Sequence, residues 1–412
     1  MPDEGYELYV GVDWGSETHV VCLLSREGIR LEERRVPHTG AGLAALREVL
    51  QQRVSEPTRI AVAIEVPHGA VVDTLLDHGC HVYALNPKQL DRFRDRHTVA
   101  GAKDDRRDAF VAADALRTDS RAFRRLAPED PTVVQLRELS RLHAELGAEH
   151  SRLTNQLREQ LWRFYAQLLP LCPAADEPWL WALLAEAPTP AEGRQLTASA
   201  LRALLGRHHI RRLTGDDVHA ALLQQPLPAA AGTVAAAREH VVLLLPRLQL
   251  LHAQRARCSQ RLERLLEQFG PASAPGEAVE HRDVTILRSL PGVGSLVTVT
   301  MLAEAWQPLA ARDYQTLRAH AGTAPVTRQS GKTRLVSMRR ACNRRLRTAL
   351  FHWARNAVRL DAHSRAHYLR LRQRHGYARA LRGVADRLLG VLVTLLKQRT
   401  LYDPARRQLY AA

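Results

Sequence analysis

Apolar residues alternate with polar ones, or run together in short blocks, over residues 6–118. "YELYVGVDWG", "THVVCLLS" and "IRLEERRVP" follow one another with brief polar breaks, which predicts three strands joined by tight turns as antiparallel neighbours. "GLAALREVLQQR" has the three- and four-residue apolar spacing of a helix. "TRIAVAIEVP" is nearly continuous in apolar residues, as in a strand covered on both faces. "GAVVDTLLDHG" predicts a short helix closed by a glycine, "HVYALNP" a second buried strand, and "DRRDAFVAADALRT" a helix with Ala, Val and Leu on one face. This region reads as α/β.

The rhythm changes after residue 130. Residues 131–170 repeat apolar positions between charges at helical spacing, which predicts one long amphipathic helix of coiled-coil character. Residues 173–232 hold Pro and Ala clusters and read as a small helical insert. Residues 234–269 form a second long helix, where Pro246 is expected to kink or interrupt the chain. The two long helices suit an antiparallel hairpin or oligomerisation arm, and equally two members of a compact bundle. Residues 283–400 are mostly helical. The expected organisation is an α/β domain over 1–125, a long helical region over 126–275 and a C-terminal helical domain over 276–412.

The chain has 412 residues, enough for two or three domains. Lys and Arg outnumber Asp and Glu by 59 to 43, a net charge of +16, which favours a polyanionic partner. Five scattered cysteines, none in a CxxC pair, exclude a readable zinc site or disulfide framework and fit a reducing cytosol. The start of the chain does not read as a signal peptide, and "VVLLLPRLQLL" and "LLGVLVTLL" are too short to span a bilayer. A cytoplasmic protein without a membrane partner is expected.

Candidate chemistry comes from carboxylates. Asp13 ends the first strand, and Glu65 ends a strand otherwise apolar, where a carboxylate is costly unless paired or bound to metal. Asp105 and Asp108 share one face of a helix, with Asp104 pointing elsewhere. Strand-Asp, strand-Glu and a helical Asp-x-x-Asp is the layout of a two-metal phosphoryl-transfer site, which needs carboxylates converging from separate elements. Taken singly, the same residues suit a turn cap, an arginine partner and a solvated face.

The segments "GVDWGSETHVV", "AIEVPHG" and "AKDDRRDA" together resemble the Asp-Glu-Asp-Asp signature of the RuvC-like domain in IS110-family transposases. That resemblance implies an RNase H-like fold akin to Holliday-junction resolvases. It also implies that Asp13, Glu65, Asp105 and Asp108 are catalytic ligands for Mg²⁺ or Mn²⁺. Lys103, Arg106 and Arg107 flank them as candidate phosphate contacts. "LRSLPGVGSLVTVTMLAEA" resembles the helix-hairpin-helix that opens the family's C-terminal domain. There the backbone at Gly292 and Gly294 would face a phosphate, the alternative being an ordinary tight turn.

"YQTLRAHAGTAPVTRQSGKTRLVSMRRACNRRLRTALFHWA" resembles the family's second motif block, with Gly322, Pro325, Ser330, Gly331, Asn343 and Arg347 on matching positions. Two positions depart from the pattern: Cys342 stands where the family usually has glycine, and Asp104 where it commonly has a small hydroxyl residue. By resemblance, Ser330 is the nucleophile that forms a phosphoserine bond with DNA, acting with the carboxylates in one composite site. Ser337 lies in the same basic segment. From Arg328 to Arg347 there are eight basic residues and no acidic one. Arg328, Lys332, Arg334, Arg339, Arg340, Arg344, Arg345 and Arg347 are candidate nucleic-acid contacts. The resemblance further implies double-stranded donor and target DNA, a structured guide RNA, and homodimers or homotetramers. The competing readings are a metal-dependent structure-specific endonuclease in which Ser330 is incidental, and an element remnant that only binds nucleic acid.

Overall fold

A computed structural model describes residues 5–96, 104–126, 130–268, 283–331 and 333–405. Lys103 and Lys332 therefore lie outside the described residues. The chain divides into two compact units, Met1–Asp130 and Pro131–Ala412.

The first unit is built on strands β1 (Leu8–Asp13), β2 (Thr18–Ser25), β3 (Arg30–Pro37), β4 (Ile60–Ile64), β5 (His81–Ala84) and β6 (Arg124–Arg125). They form one sheet in the order β3-β2-β1-β4-β5-β6. The first three are antiparallel neighbours, as their short connections predict. β4 pairs parallel with β1, and β5 parallel with β4. Helices α1 (Gly40–Arg53) and α2 (Ala70–Asp77) cover one face with Leu43, Leu46, Leu50, Val71, Val72 and Leu75. Helices α3 (Pro87–Arg94) and α4 (Asp105–Asp119) lie on the other, where Ala109, Ala112 and Ala113 pack against Ala61 and Ala63. Small residues on both sides let α4 approach the sheet closely. A Cβ on Gly11 of β1 would stand 1.9 Å from the Ala109 carbonyl oxygen and 2.6 Å from the Ala113 nitrogen.

In the second unit, α5 (Pro131–Phe164) and α10 (Ala231–Gln268) are the two long helices. Cys258 Sγ donates to the Leu139 carbonyl, Ser259 bonds His143, and the His150 and His252 rings lie 6.3 Å apart. From His143–Ser259 through Gly147, which faces Arg255, to His150–His252, partner numbers fall on α10 as they rise on α5, so the pair is antiparallel. The insert between them comprises α6 (Pro178–Glu186), α7 (Pro190–Gly193), α8 (Ala198–Arg207) and α9 (Gly215–Leu223). α10 runs through Pro246 as one element instead of being interrupted there. The proline is exposed, and so is Val242, whose carbonyl loses its helical donor and can turn to water.

The C-terminal part contains α11 (Asp283–Ser289), α12 (Ser295–Ala310), α13 (Tyr314–His320), strands β7 (Val326–Ser330) and β8 (Thr333–Ser337), and α14 (Arg344–Leu360), α15 (Ala362–Arg372) and α16 (Tyr377–Gln398). Two cores hold the unit together. One joins the insert to Leu153, Leu157 and Leu161 of α5 and Val241, Leu244 and Leu248 of α10. The other joins Val133 and Leu136 of α5 and Leu262 and Leu265 of α10 to α11, α12, α14 and α16. No helix among the described residues is long and apolar enough to cross a membrane.

Candidate functional site

The carboxylates take their positions from the sheet. Val12 of β1 is in register with Ile64 of the parallel β4, so Asp13 and Glu65 follow side by side where the two strands leave the sheet. Neighbouring strands run ~4.8 Å apart. Asp13 lies two residues beyond Gly11 and shares its face, the face that α4 covers. Asp108 sits in the first turn of α4 and is 3% exposed, while Asp105, the first residue of the helix, is exposed. Asp104 is the N-cap of α4, its side chain accepting from the Arg106 N–H at 3.3 Å. Its departure from the family pattern thus supplies a cap.

The Asp108 carboxylate accepts from Arg94 Nε at 2.8 Å, and Arg94 also holds Asp91 at 2.8 Å. Sequence reading missed this arginine. The run "DRFRDR" gives no apolar period, and only the fold shows that α3 brings Arg94 against α4. Arg106 reaches Glu33 of β3 at 3.1 Å. The donor set of four carboxylates, hard oxygen ligands with one buried member, fits a hard divalent cation. The four are not gathered into a tight cluster. The one group of three potential ligands with donor atoms within 4.8 Å of each other among the described residues is Cys172, Asp176 and Glu177. That group is a structural knot: Arg212 and the Trp179 indole occupy the Glu177 carboxylate, and burial pushes the Cys172 thiol up.

Ser330 ends β7 in a two-stranded hairpin, opposite Thr333. Gly331 turns the chain with φ +55°. Ser330, Arg328 and Arg334 are exposed, as is nearly all of the hairpin. Arg340 and Arg344 are exposed too, and Arg339 is half-buried.

The rest of the basic block divides. Arg345 is drawn into a buried network, 3.0 Å from Glu304 and donating to the Ser140 carbonyl at 2.8 Å. Asn343 caps α14 by accepting from the Leu346 N–H and donates to Glu304 at 2.7 Å. Burial pushes the Glu304 carboxyl up, but hydrogen bonds from Asn343 and Arg141 and the charges of Arg141 and Arg345 outweigh it. It settles below the usual carboxylate range. Arg347 contacts Cys342 Sγ at 3.6 Å.

In the "PGVG" turn, Gly292 has φ +79°, and a Cβ there would lie 2.6 Å from the Ala357 nitrogen of α14. The Trp353 indole donates to the Pro291 carbonyl at 3.0 Å. Gly292 therefore packs the turn onto α14. Gly294 is the open N-cap of α12, with nothing within 4 Å of a Cβ placed there.

Comparison with known proteins adds two family models. One, described as a transposase, matches residues 10–166, and one described as the transposase IS116/IS110/IS902 family matches residues 284–369. The chain is 51% identical to the putative transposase y4uE of Sinorhizobium fredii over 52% of its own length and 59% of that protein, so it spans less than two thirds of this relative. It is 32% identical to the mini-circle putative transposase for IS117 of Streptomyces coelicolor over 98% of both chains. An insertion element IS110 protein of the same organism is 28% identical over 97% of this chain and 96% of its own.

Proposed function

Because the chain belongs to the IS116/IS110/IS902 family of transposases, enzymes of DNA strand cleavage and transfer, we propose that it moves an insertion sequence through a phosphoserine bond at Ser330. The observation that carries this reading is Ser330 itself. It stands at the tip of an exposed hairpin between Arg328 and Arg334, inside the segment that matches the family model. The serine Oγ attacks a DNA phosphorus, and the bond to the departing strand's sugar oxygen breaks. The serine proton leaves to a base, and the freed sugar hydroxyl takes one up. Attack by another strand's hydroxyl reverses the exchange and restores the serine. The phosphodiester energy is kept throughout.

Asp13, Glu65, Asp105 and Asp108 are the residues that would hold a divalent cation such as Mg²⁺, which supplies Lewis-acid stabilisation of charge on phosphate oxygens. Arg94 neutralises Asp108 from the protein side. The exposed arginines neutralise strand phosphates without reading sequence. A structured guide RNA meets the same net charge of +16. Trp162 on α5 and Leu243 and Leu250 on α10 are exposed, and they are the surface we assign to self-association into dimers and tetramers.

A second reading, a metal-dependent structure-specific endonuclease, draws on one observation: no base is hydrogen-bonded to Ser330 among the described residues. The two separate on a denaturing gel. Parent protein and Ser330→Ala are each mixed with Mg²⁺, element-end DNA and RNA transcribed from the flanks of the gene. A covalent protein–DNA adduct in the parent alone is the expected result. Equal cleavage by both without an adduct leaves the endonuclease.

A further inference from the structure

A cavity of about 220 Å³ lies in the second unit, with Met338, Leu350, Phe351, Ala385, Arg347 and Arg382 in its wall. Met338 directly follows β8, whose last residue, Ser337, pairs with Val326 at the foot of the hairpin. Ser330 is at the other end, on the order of 13 Å away at strand rise.

The cavity combines apolar wall with uncompensated positive charge. Arg347 enters from α14 and Arg382 from α16, with Arg379 one turn before Arg382. The acid one turn after Arg382 is Asp386, but Arg318 holds it at 3.0 and 2.6 Å and Thr323 Oγ1 at 2.7 Å. Neither Arg347 nor Arg382 has an acidic partner among the described residues. Burial, with the charges of Arg379 and Arg347, lowers the Arg382 guanidinium from its usual value. Like charges beside an apolar wall are unfavourable unless an anion joins them. Next to the cavity stands an aromatic group. Phe351 meets Tyr377 edge-on with centroids 6.2 Å apart, and Tyr377 is 48% exposed.

We propose that this cavity takes one unstacked nucleotide of a DNA strand, its base against Phe351 and Met338 and its phosphate on Arg347 and Arg382. A bare phosphate satisfies the arginines but leaves the apolar wall in water, whereas an extruded nucleotide satisfies both. The volume is below the ~300–1,000 Å³ of a drug-sized site, which suits a single base. The proposal rests on the strand-transfer reading and adds to it a subsite at the root of the serine hairpin.

The test uses the full-length Ser330→Ala protein without divalent cation, so that neither serine- nor metal-dependent cutting intervenes. The probe is a labelled single-stranded DNA carrying 2-aminopurine at one position, beside the same strand with an abasic residue there. A binding-dependent change in 2-aminopurine fluorescence is expected, with about tenfold weaker binding of the abasic strand. Arg382→Gln should weaken binding about tenfold and lower the salt slope by about one. Ala378→Trp fills the mouth of the cavity from an exposed position, leaves both arginines in place, and should erase the abasic discrimination. Equal binding of intact and abasic strands overturns the proposal. So does parent-like binding by both variants, or tighter binding of an RNA of the same sequence with the same fluorescence change. The two readings fail separately. Failure of the serine chemistry removes the adduct from the parent and leaves the abasic contrast intact. Failure of the cavity leaves the adduct and removes the contrast.

Discussion

The two regions that carry candidate chemistry are built in opposite ways. Asp13, Glu65 and Asp108 are anchored at the ends of buried strands and in the first turn of a helix pressed on the sheet, so packing fixes their backbones. Ser330 sits on a hairpin almost wholly exposed, whose strands bond to each other and bury no face. An isolated two-stranded hairpin is marginal in water. Packing against a core therefore sets the backbone around the carboxylates, whereas only strand pairing and the Gly331 turn set it around Ser330.

Substitutions can break or sharpen that contrast. The largest effect is expected from Gly11→Val, which drives a side chain into the Ala109 carbonyl. It should destabilise the first unit by about 3 kcal/mol or more, seen as an early unfolding transition with loss of metal-dependent cleavage. An unshifted urea midpoint would show that α4 does not bear on β1 as described. Next, Glu304→Ala removes the shared acceptor of Asn343, Arg141 and Arg345. A loss of about 3 kcal/mol, confined to the second unit, is expected by chemical denaturation.

A pH effect follows from His19. The Gly15 N–H donates to its Nδ1 at 3.3 Å, so Nε2 carries the ring proton and donates to His38 Nδ1 at 2.8 Å. Burial, and then His38, lower its pKa. The unfolded chain therefore binds the proton more readily. Stability is full above about pH 6.5, falls as pH drops through that value, and reaches its floor below the folded pKa. His19→Gln should flatten the unfolding midpoint against pH between neutrality and pH 5. The smallest effect on stability is expected from Arg334→Ala, within about 0.5 kcal/mol. Its signature is instead a DNA-binding salt slope reduced by about one. A large stability loss there would mean that the hairpin is packed after all.

The same contrast explains what was legible in sequence. Buried strands write themselves as apolar runs, so β1, β2, β4 and β5 and the carboxylates at their ends stand out. Amphipathic stripes announced α5 and α10. "VTRQSGKTRLVS" carries no buried face and so no period, and the β7–β8 hairpin was invisible except as a Ser-Gly step. Arg94 was missed because its partner is set by a helix docking, and the different duties of Arg345 and Arg334 depend on Glu304, which no local pattern marks. Pro246 does not interrupt α10, because the proline and the Val242 carbonyl that loses its donor both lie on the side that faces water.

At ~1.5 Å per residue, the 38-residue α10 is about 57 Å long, and its two ends are set in different cores, with α5 antiparallel beside it. The pair acts as a strut. The insert cannot swing against the C-terminal helices without bending both rods at once, so the spacing between the two cores is a fixed length, and a load taken up at one end is delivered to the other.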